Sequence, residues 1–138
     1  MRSRTGFTLI ELMVVVLIVA ILAAVMIPII RGRIDSAKWT EGKAIMGSIA
    51  TSIRAYAAEH GVNGDLPNSF RTVSTGLGFA IGDLDGTYFT EESFSFTVIA
   101  LQPIDFTVTC DASASLAPDA PLTPAVVQLD EEGVWTTP

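Results

Sequence analysis

Few residues in this chain are of types that do chemistry. The first to stand out is Glu11, a single carboxylate set in the apolar run GFTLIELMVVVLIVAILAAVMIPII over residues 6–30. A carboxylate inside an apolar membrane helix costs on the order of 2.5–3.5 kcal/mol even on insertion scales, so it needs a cationic partner or a proton. Two readings stand side by side: Glu11 marks the headgroup boundary where a span begins, or it is a charge kept for pairing. Elsewhere, Asp83-Leu84-Asp85-Gly86 offers two carboxylates and a turn glycine, which makes Asp83 and Asp85 calcium candidates. The spacing falls short of an EF-hand, because Phe94 stands where the closing acid belongs. His60 is the only histidine and Cys110 the only cysteine, so no cysteine–histidine or metal-ligand cluster is available and no intramolecular disulfide can form. His60 reads as a helix-end residue. Cys110, alternating with Phe106 and Val108, reads as a buried apolar thiol. Glu91-Glu92 and Asp130-Glu131-Glu132 are charge runs of the kind that mark solvated surface. With no phosphate-cradling glycine loop and no nucleophile elbow, the chain reads as a non-enzyme with no cofactor beyond the calcium option.

The elements that must position Glu11 begin with the run itself. Residues 12–30 are nineteen residues without a charge. As a helix they cover roughly 28 Å, close to the roughly 30 Å hydrocarbon core of a bilayer. Inside lipid every backbone polar group must be satisfied internally, which leaves helix as the conformation of a lone apolar segment and overrides the weak helix preference of Val14, Val15, Val16, Ile18, Val19 and Ile21. Pro28 deletes one helical hydrogen bond and clashes with the turn before it, so a kink or loosened helix is expected over 24–28. Beyond it, 31–58 reads as an amphipathic helix with Ile45, Ile49, Ile53 and Tyr56 at helical spacing, flanked by Met46, Ala50 and Ala57. The charged positions 31, 33, 35, 38, 41 and 43 crowd its first half, which is expected to be exposed in the monomer. The helix should stop near His60 and Gly61, where glycine takes the left-handed C-terminal position.

A length of 138 residues with 49% hydrophobic content suits one small domain plus an anchor and no second core. All eight Lys and Arg lie at or before Arg71, whereas residues 72–138 hold ten of the fifteen acids and no base. That acidic distal half has the wrong sign for gripping nucleic acid through phosphates. Residues 61–92, rich in Gly, Asn, Asp and Ser, read as a long connection with at most one short turn of helix or strand. Three strands follow. Residues 93–101 alternate Phe94, Phe96 and Val98, residues 105–111 alternate Phe106, Val108 and Cys110, and 125–130 form the third. Gln102-Pro103-Ile104 makes a reversal that suggests an antiparallel hairpin, 112–124 with three prolines is a surface loop, and a last short piece lies at Val134 and Trp135. The fold class is α+β: a long N-terminal helix, membrane-spanning in its first half and amphipathic in its second, packed on a small antiparallel sheet of three to four strands.

The flanks of the apolar run carry a resemblance. A six-residue leader with Arg2 and Arg4 precedes it, whereas an ordinary secretory signal has a short uncharged core and a small-residue cleavage site. The sequence G-F-T-L-I-E-L-M-V-V-V-L-I-V-A-I-L-A-A-V-M-I-P resembles the N-terminal signature of type IV pilins and of type II secretion pseudopilins, matching at Gly6, Phe7, Thr8, Leu9, Glu11 and Pro28. The resemblance covers roughly the first thirty residues. It implies a leader at 1–6, a transmembrane and assembly helix at 7–30, and a pilin-like domain at 31–138. It also implies cleavage by a prepilin peptidase between Gly6 and Phe7, N-methylation of Phe7, a pairing of Glu11 with the amine of a neighbouring subunit, and a bend at Pro28. The implied partners are other pilin-like subunits in a homo- or hetero-oligomeric filament, the inner-membrane assembly platform and lipid. Positive-inside counting of Arg31, Arg33, Lys38 and Lys43 against Arg2 and Arg4 would place the C-terminal domain in the cytoplasm. The resemblance implies the reverse, a single-pass protein of the bacterial inner membrane with its domain on the periplasmic side. The lone Cys110 departs from pilins stapled by a cysteine pair, and the C-terminal calcium loop of major pseudopilins is not recognisable. The expected function is therefore a pseudopilin of type II secretion, with a type IV pilus subunit as the alternative. A membrane-anchored binding domain that never polymerises is the alternative of another class.

Overall fold

The computed structural model describes residues 6–62, 64–71 and 73–138. Contacts divide the chain into two units, Met1–Ile34 and Asp35–Pro138. In the first, the described residues comprise a short extended lead and the start of helix α1, Leu9–His60, whose 52 residues continue into the second unit. The apolar run from Leu9 to Ile30 has no buried residue, and its large side chains are about half to three-quarters exposed. The run thus has the length and composition to cross a membrane. A surface this apolar needs a cover, since soluble monomers rarely leave such a patch open. Residues 1–5 of the expected leader lie outside the described residues.

The second unit is built from α1 and the strands β1 (Ser69–Arg71), β2 (Gly76–Phe79), β3 (Phe94–Leu101), β4 (Ile104–Asp111), β5 (Val126–Asp130) and β6 (Trp135–Thr136). Strands β3 to β6 form one antiparallel sheet in sequence order. Its core face follows from strand alternation. Phe106, Val108 and Cys110 of β4 are fully buried, flanked by Phe94 and Val98 on one side and by Val127 and Leu129 on the other. A register shift between Val98 and Ala100 inserts one extra residue. This flips the alternation, so that Leu101 turns inward and Ile99 is left 65% exposed.

Against this face lies the second half of α1. Trp39, Gly42, Met46, Ile49, Ala50, Ile53, Tyr56 and Ala57 are buried. The stripe read from the sequence holds at Ile49, Ile53 and Tyr56, with Ile45 only partly covered, and it begins earlier than expected, at Trp39 and Gly42. Gly42 is needed where it stands: a Cβ there would come within 2.9 Å of the fully buried Phe89 ring, which packs on Trp39 at 5.0 Å between centroids. Each such large apolar side chain stabilises the fold by about 1.5–3 kcal/mol relative to exposure. The helix ends as its sequence dictates. Gly61 takes φ 64° and donates its N–H to the Ala57 carbonyl at 3.0 Å, the single bond of a left-handed cap.

Two expectations are corrected. Residues 61–92 hold more structure than a connection with one short turn, because β1 and β2 pair in parallel (Ser69 with Gly76, Arg71 with Phe79) and a 3-10 turn spans Glu91–Ser93. Phe70 of β1 joins this layer to the sheet, 4.9 Å from the Phe96 ring. The charged first half of the amphipathic helix is also only partly exposed. Asp35, Lys38 and Glu41 are half-buried because each holds a loop, as described next.

Candidate functional site

The residues with the clearest chemistry gather at the start of α1. Thr8 is the residue before its first turn, and Glu11 is three residues on. The Glu11 Oε2 accepts from the Thr8 amide at 2.9 Å and from the Thr8 hydroxyl at 2.6 Å, while the Glu11 amide donates to Thr8 Oγ1 at 3.4 Å. This is a reciprocal capping box, in which each side chain satisfies a backbone donor that the helix start leaves open. The spacing T-x-x-E at residues 8–11 is the sequence signal for this box. Glu11 therefore has a local partner within its own chain, and its carboxylate sits at the positive end of a helix. Phe7 is 83% exposed next to it, and a Cβ placed on Gly6 would meet nothing within 4 Å among the described residues. The bond between Gly6 and Phe7 is thus open to an enzyme. Helix α1 runs on through Pro28 without interruption.

The other candidates are placed differently. Asp83 Oδ2 accepts from the Ala80 amide and Asp85 Oδ1 from the Glu91 amide, each at 2.8 Å, so both carboxylates hold their own turn. Among the described residues no group of three or more His, Cys, Asp or Glu is placed to hold a metal ion. His60 stacks on Tyr56 at 3.9 Å and its Nδ1 lies 3.0 Å from the Tyr56 carbonyl, a helix-end role. Cys110 is fully buried, and burial first, then the charge of Asp111, pushes its thiol up to about 12. Two hydrogen bonds from Ser113, hydroxyl and amide, hold the Asp111 carboxyl below its usual range.

Three charges of α1, read from the sequence as a solvated face, fasten the loops of the domain. Asp35 Oδ2 accepts from the amides of Leu122 and Thr123 at 3.3 Å each and from the Thr123 hydroxyl at 3.1 Å. Lys38 Nζ donates to the Asp119 carbonyl at 2.7 Å. Glu41 Oε1 accepts from the amides of Tyr88 at 2.8 Å and Phe89 at 3.3 Å, and Gly86 leaves room for its carboxylate, which a Cβ there would strike. Glu41→Ala is expected to destabilise the domain by about 1–3 kcal/mol, because two half-buried amides lose their acceptor. Glu41→Gln, which keeps an acceptor, should recover most of that. Thermal unfolding of the full chain in detergent, followed by circular dichroism, measures both, and an unchanged midpoint for the alanine variant would refute the role.

The Glu91 charge run is likewise engaged, since Arg71 Nη2 reaches both Glu91 oxygens, at 2.5 and 2.6 Å. The pair is about a quarter to a third exposed, so its net contribution is modest.

The start of the chain thus combines an exposed apolar helix, a capping box at the first turn of that helix and an accessible Gly6–Phe7 bond. Residues 1–27 match the prokaryotic N-terminal methylation motif. The chain is also similar to the type II secretion system core protein G of Pseudomonas aeruginosa, with 44% identity over 59 residues. That stretch is 43% of this chain, and it spans 42% of the relative, less than half its length. No solved structure matches the chain.

Proposed function

We propose that the chain is a pseudopilin, a structural subunit of the pilus-like filament of a type II secretion system. The observation that carries this is the methylation motif over residues 1–27 on a helix with no buried apolar residue in its first half, joined to 44% identity with a core protein of that system. In this reading the chain is held in the bacterial inner membrane by residues 7–30, with residues 31–138 on the periplasmic side. A prepilin peptidase removes residues 1–6, cutting between Gly6 and Phe7, and the new Phe7 amine is methylated. In the filament, Glu11 leaves its capping partner Thr8 and pairs with the Phe7 amine of a neighbouring subunit. Two opposite charges brought together in lipid cost far less than either alone. Pro28, which cannot donate to the helical ladder, gives the packed helices a compliant joint. The assembly platform of the inner membrane and other pilin-like subunits are the partners. The role in this reading is structural, that of a filament subunit, as the similarity to a core protein of such a system supports.

Mass spectrometry of the mature N-terminus tests the reading. A chain beginning at methylated Phe7 is expected; an intact Met1, or a cut in the small-residue stretch near Ala24, refutes it.

A further inference from the structure

We propose that the cleft between α1 and the β5–β6 hairpin is a binding site for a small organic carboxylate, with the acid group on Lys43 and an apolar body against the two indoles of the chain. The site lies wholly within the second unit, Asp35–Pro138, and is independent of the assembly reading.

A fixed frame makes the cleft. Trp39 stands on the buried stripe of α1, and its indole donates to the Pro124 carbonyl at 3.1 Å, which ties the loop before β5 to the helix. Lys43 follows one turn later. The opposite wall is β6, turned back along β5 by a tight reversal in which Asp130 Oδ1 accepts from the amides of Glu132 at 3.1 Å and Val134 at 2.8 Å and Gly133 takes φ 85°. The return pairs Trp135 with Leu129 and Thr136 with Gln128. Trp39, Lys43, Pro124, Val127, Trp135 and Thr136 then line a cleft of about 250 Å³. Ordinary ligand sites hold roughly 300–1,000 Å³, so the occupant here is small.

Charge selects it. Residues 35–138 carry fourteen of the fifteen acids and four of the eight bases. Three of those bases are bonded to oxygen: Lys38 to the Asp119 carbonyl, Arg54 to the Glu131 carbonyl and Arg71 to Glu91. Lys43 has no oxygen partner among the described residues. Its ammonium lies 5.4 Å from the centre of the Trp135 ring, a contact that attracts the charge without neutralising it. The helix offers no acid either, since the residues three and four away are Trp39, Thr40, Met46 and Gly47. No carboxylate lines the cleft, whereas the Trp135 indole N–H and the hydroxyls of Thr136 and Thr137 can donate into it. One unneutralised cation among donors takes one negative charge, and the acidic surroundings oppose an anion that carries more. Trp39, Pro124 and Val127 supply an apolar wall that a bare inorganic anion would leave unused. A carboxylate on an apolar group meets both halves. That chemistry occurs in free acids and at the C-terminal residue of a peptide.

The two tryptophans of the chain both line the cleft, so intrinsic fluorescence reads it directly. The test titrates the full chain, in micelles of a non-ionic detergent, with N-acetyl-leucine. A saturable change in emission with millimolar-range affinity is expected. N-acetyl-leucinamide keeps the body and lacks the charge, and acetate keeps the charge and lacks the body; each should bind at least about tenfold more weakly. Lys43→Gln should weaken N-acetyl-leucine by a similar factor, and Lys43→Arg should retain it. Lys43 is exposed, so an unchanged melting midpoint by circular dichroism is expected for both variants. Equal binding of acid and amide by the unaltered chain overturns the proposal, as does a change that never saturates or full binding by Lys43→Gln. An emission change that follows protein concentration with no ligand added also overturns it, since that marks a second copy as the occupant. An N-acetylated tripeptide ending in leucine distinguishes the sources: tighter binding than N-acetyl-leucine supports a peptide end as the natural ligand, and weaker binding supports a free acid.

Discussion

Subunits carrying Glu11→Ala are expected to enter the membrane at least as readily as the parent and to fail to enter filaments. Removing the carboxylate lowers the insertion cost by on the order of 2.5–3.5 kcal/mol. In the proposed filament the loss lies in assembly, where the Phe7 amine of the neighbour would be left buried without its counter-charge, a defect of about 3–5 kcal/mol, or roughly two to four orders of magnitude in incorporation. The structure adds a complication that the alanine variant cannot resolve by itself. Glu11 also closes the capping box with Thr8, and losing a cap costs about 0.5–2 kcal/mol of helix stability. Glu11→Gln separates the two roles, because glutamine serves at the third helical position of a capping box as glutamate does but carries no charge. If pairing drives incorporation, the glutamine variant should assemble as poorly as alanine while its helix start stays intact. Pelleted filaments compared with membrane-retained subunit give the measurement. Normal filaments from Glu11→Gln would refute the charge-pairing role, and filaments from glutamine but not alanine would assign Glu11 to the cap.

What could be read from the sequence divides along a physical line. Features encoded locally were legible: an uncharged run long enough to span lipid, three strands with period-two alternation, a glycine positioned to end the helix, and a thiol placed among apolar alternates. Each depends on neighbours within a few residues, and each is found where expected, as in the Gly61 cap and the buried trio Phe106, Val108 and Cys110. Features encoded by partners far along the chain were not legible. Asp35, Lys38 and Glu41 look like a solvated helix face because charges at such spacing usually are one. Their acceptors and donors lie 47 to 88 residues away, where no periodicity points. The β1–β2 pair was missed for a different reason, since Ser-Phe-Arg and Gly-Leu-Gly-Phe have little β-branching and look like turn sequence. At the N-terminus the resemblance named the residues, and the geometry added one relation among them, the bond of Glu11 to Thr8. That relation was local and readable, as the capping spacing was present.

Gly6→Val is expected to leave the precursor uncut. The substitution is informative because the structure predicts no effect on folding. A side chain at Gly6 meets nothing within 4 Å among the described residues, and the residue precedes α1, so neither packing nor the helix start should change. In the proposed processing, any loss must then arise in the peptidase that would receive the Gly6–Phe7 bond. A peptidase pocket that takes glycine at this position would have to accommodate three added carbons. Each methylene in a tight pocket is worth about 1–3 kcal/mol, so cleavage should fall by roughly 100-fold or more. The precursor would keep Met1 to Gly6, its Phe7 would have no free amine to methylate, and Glu11 of a neighbouring copy would find an amide where it needs a cation. Gly6→Val and Glu11→Ala should therefore give the same absence of filaments by opposite routes, one leaving the acid without its amine and the other the amine without its acid. Intact mass distinguishes them: the Gly6→Val chain retains its leader, whereas the Glu11→Ala chain begins at Phe7. Finding the processed mass in the Gly6→Val chain would remove the peptidase from the account, and the source of the Phe7 amine with it.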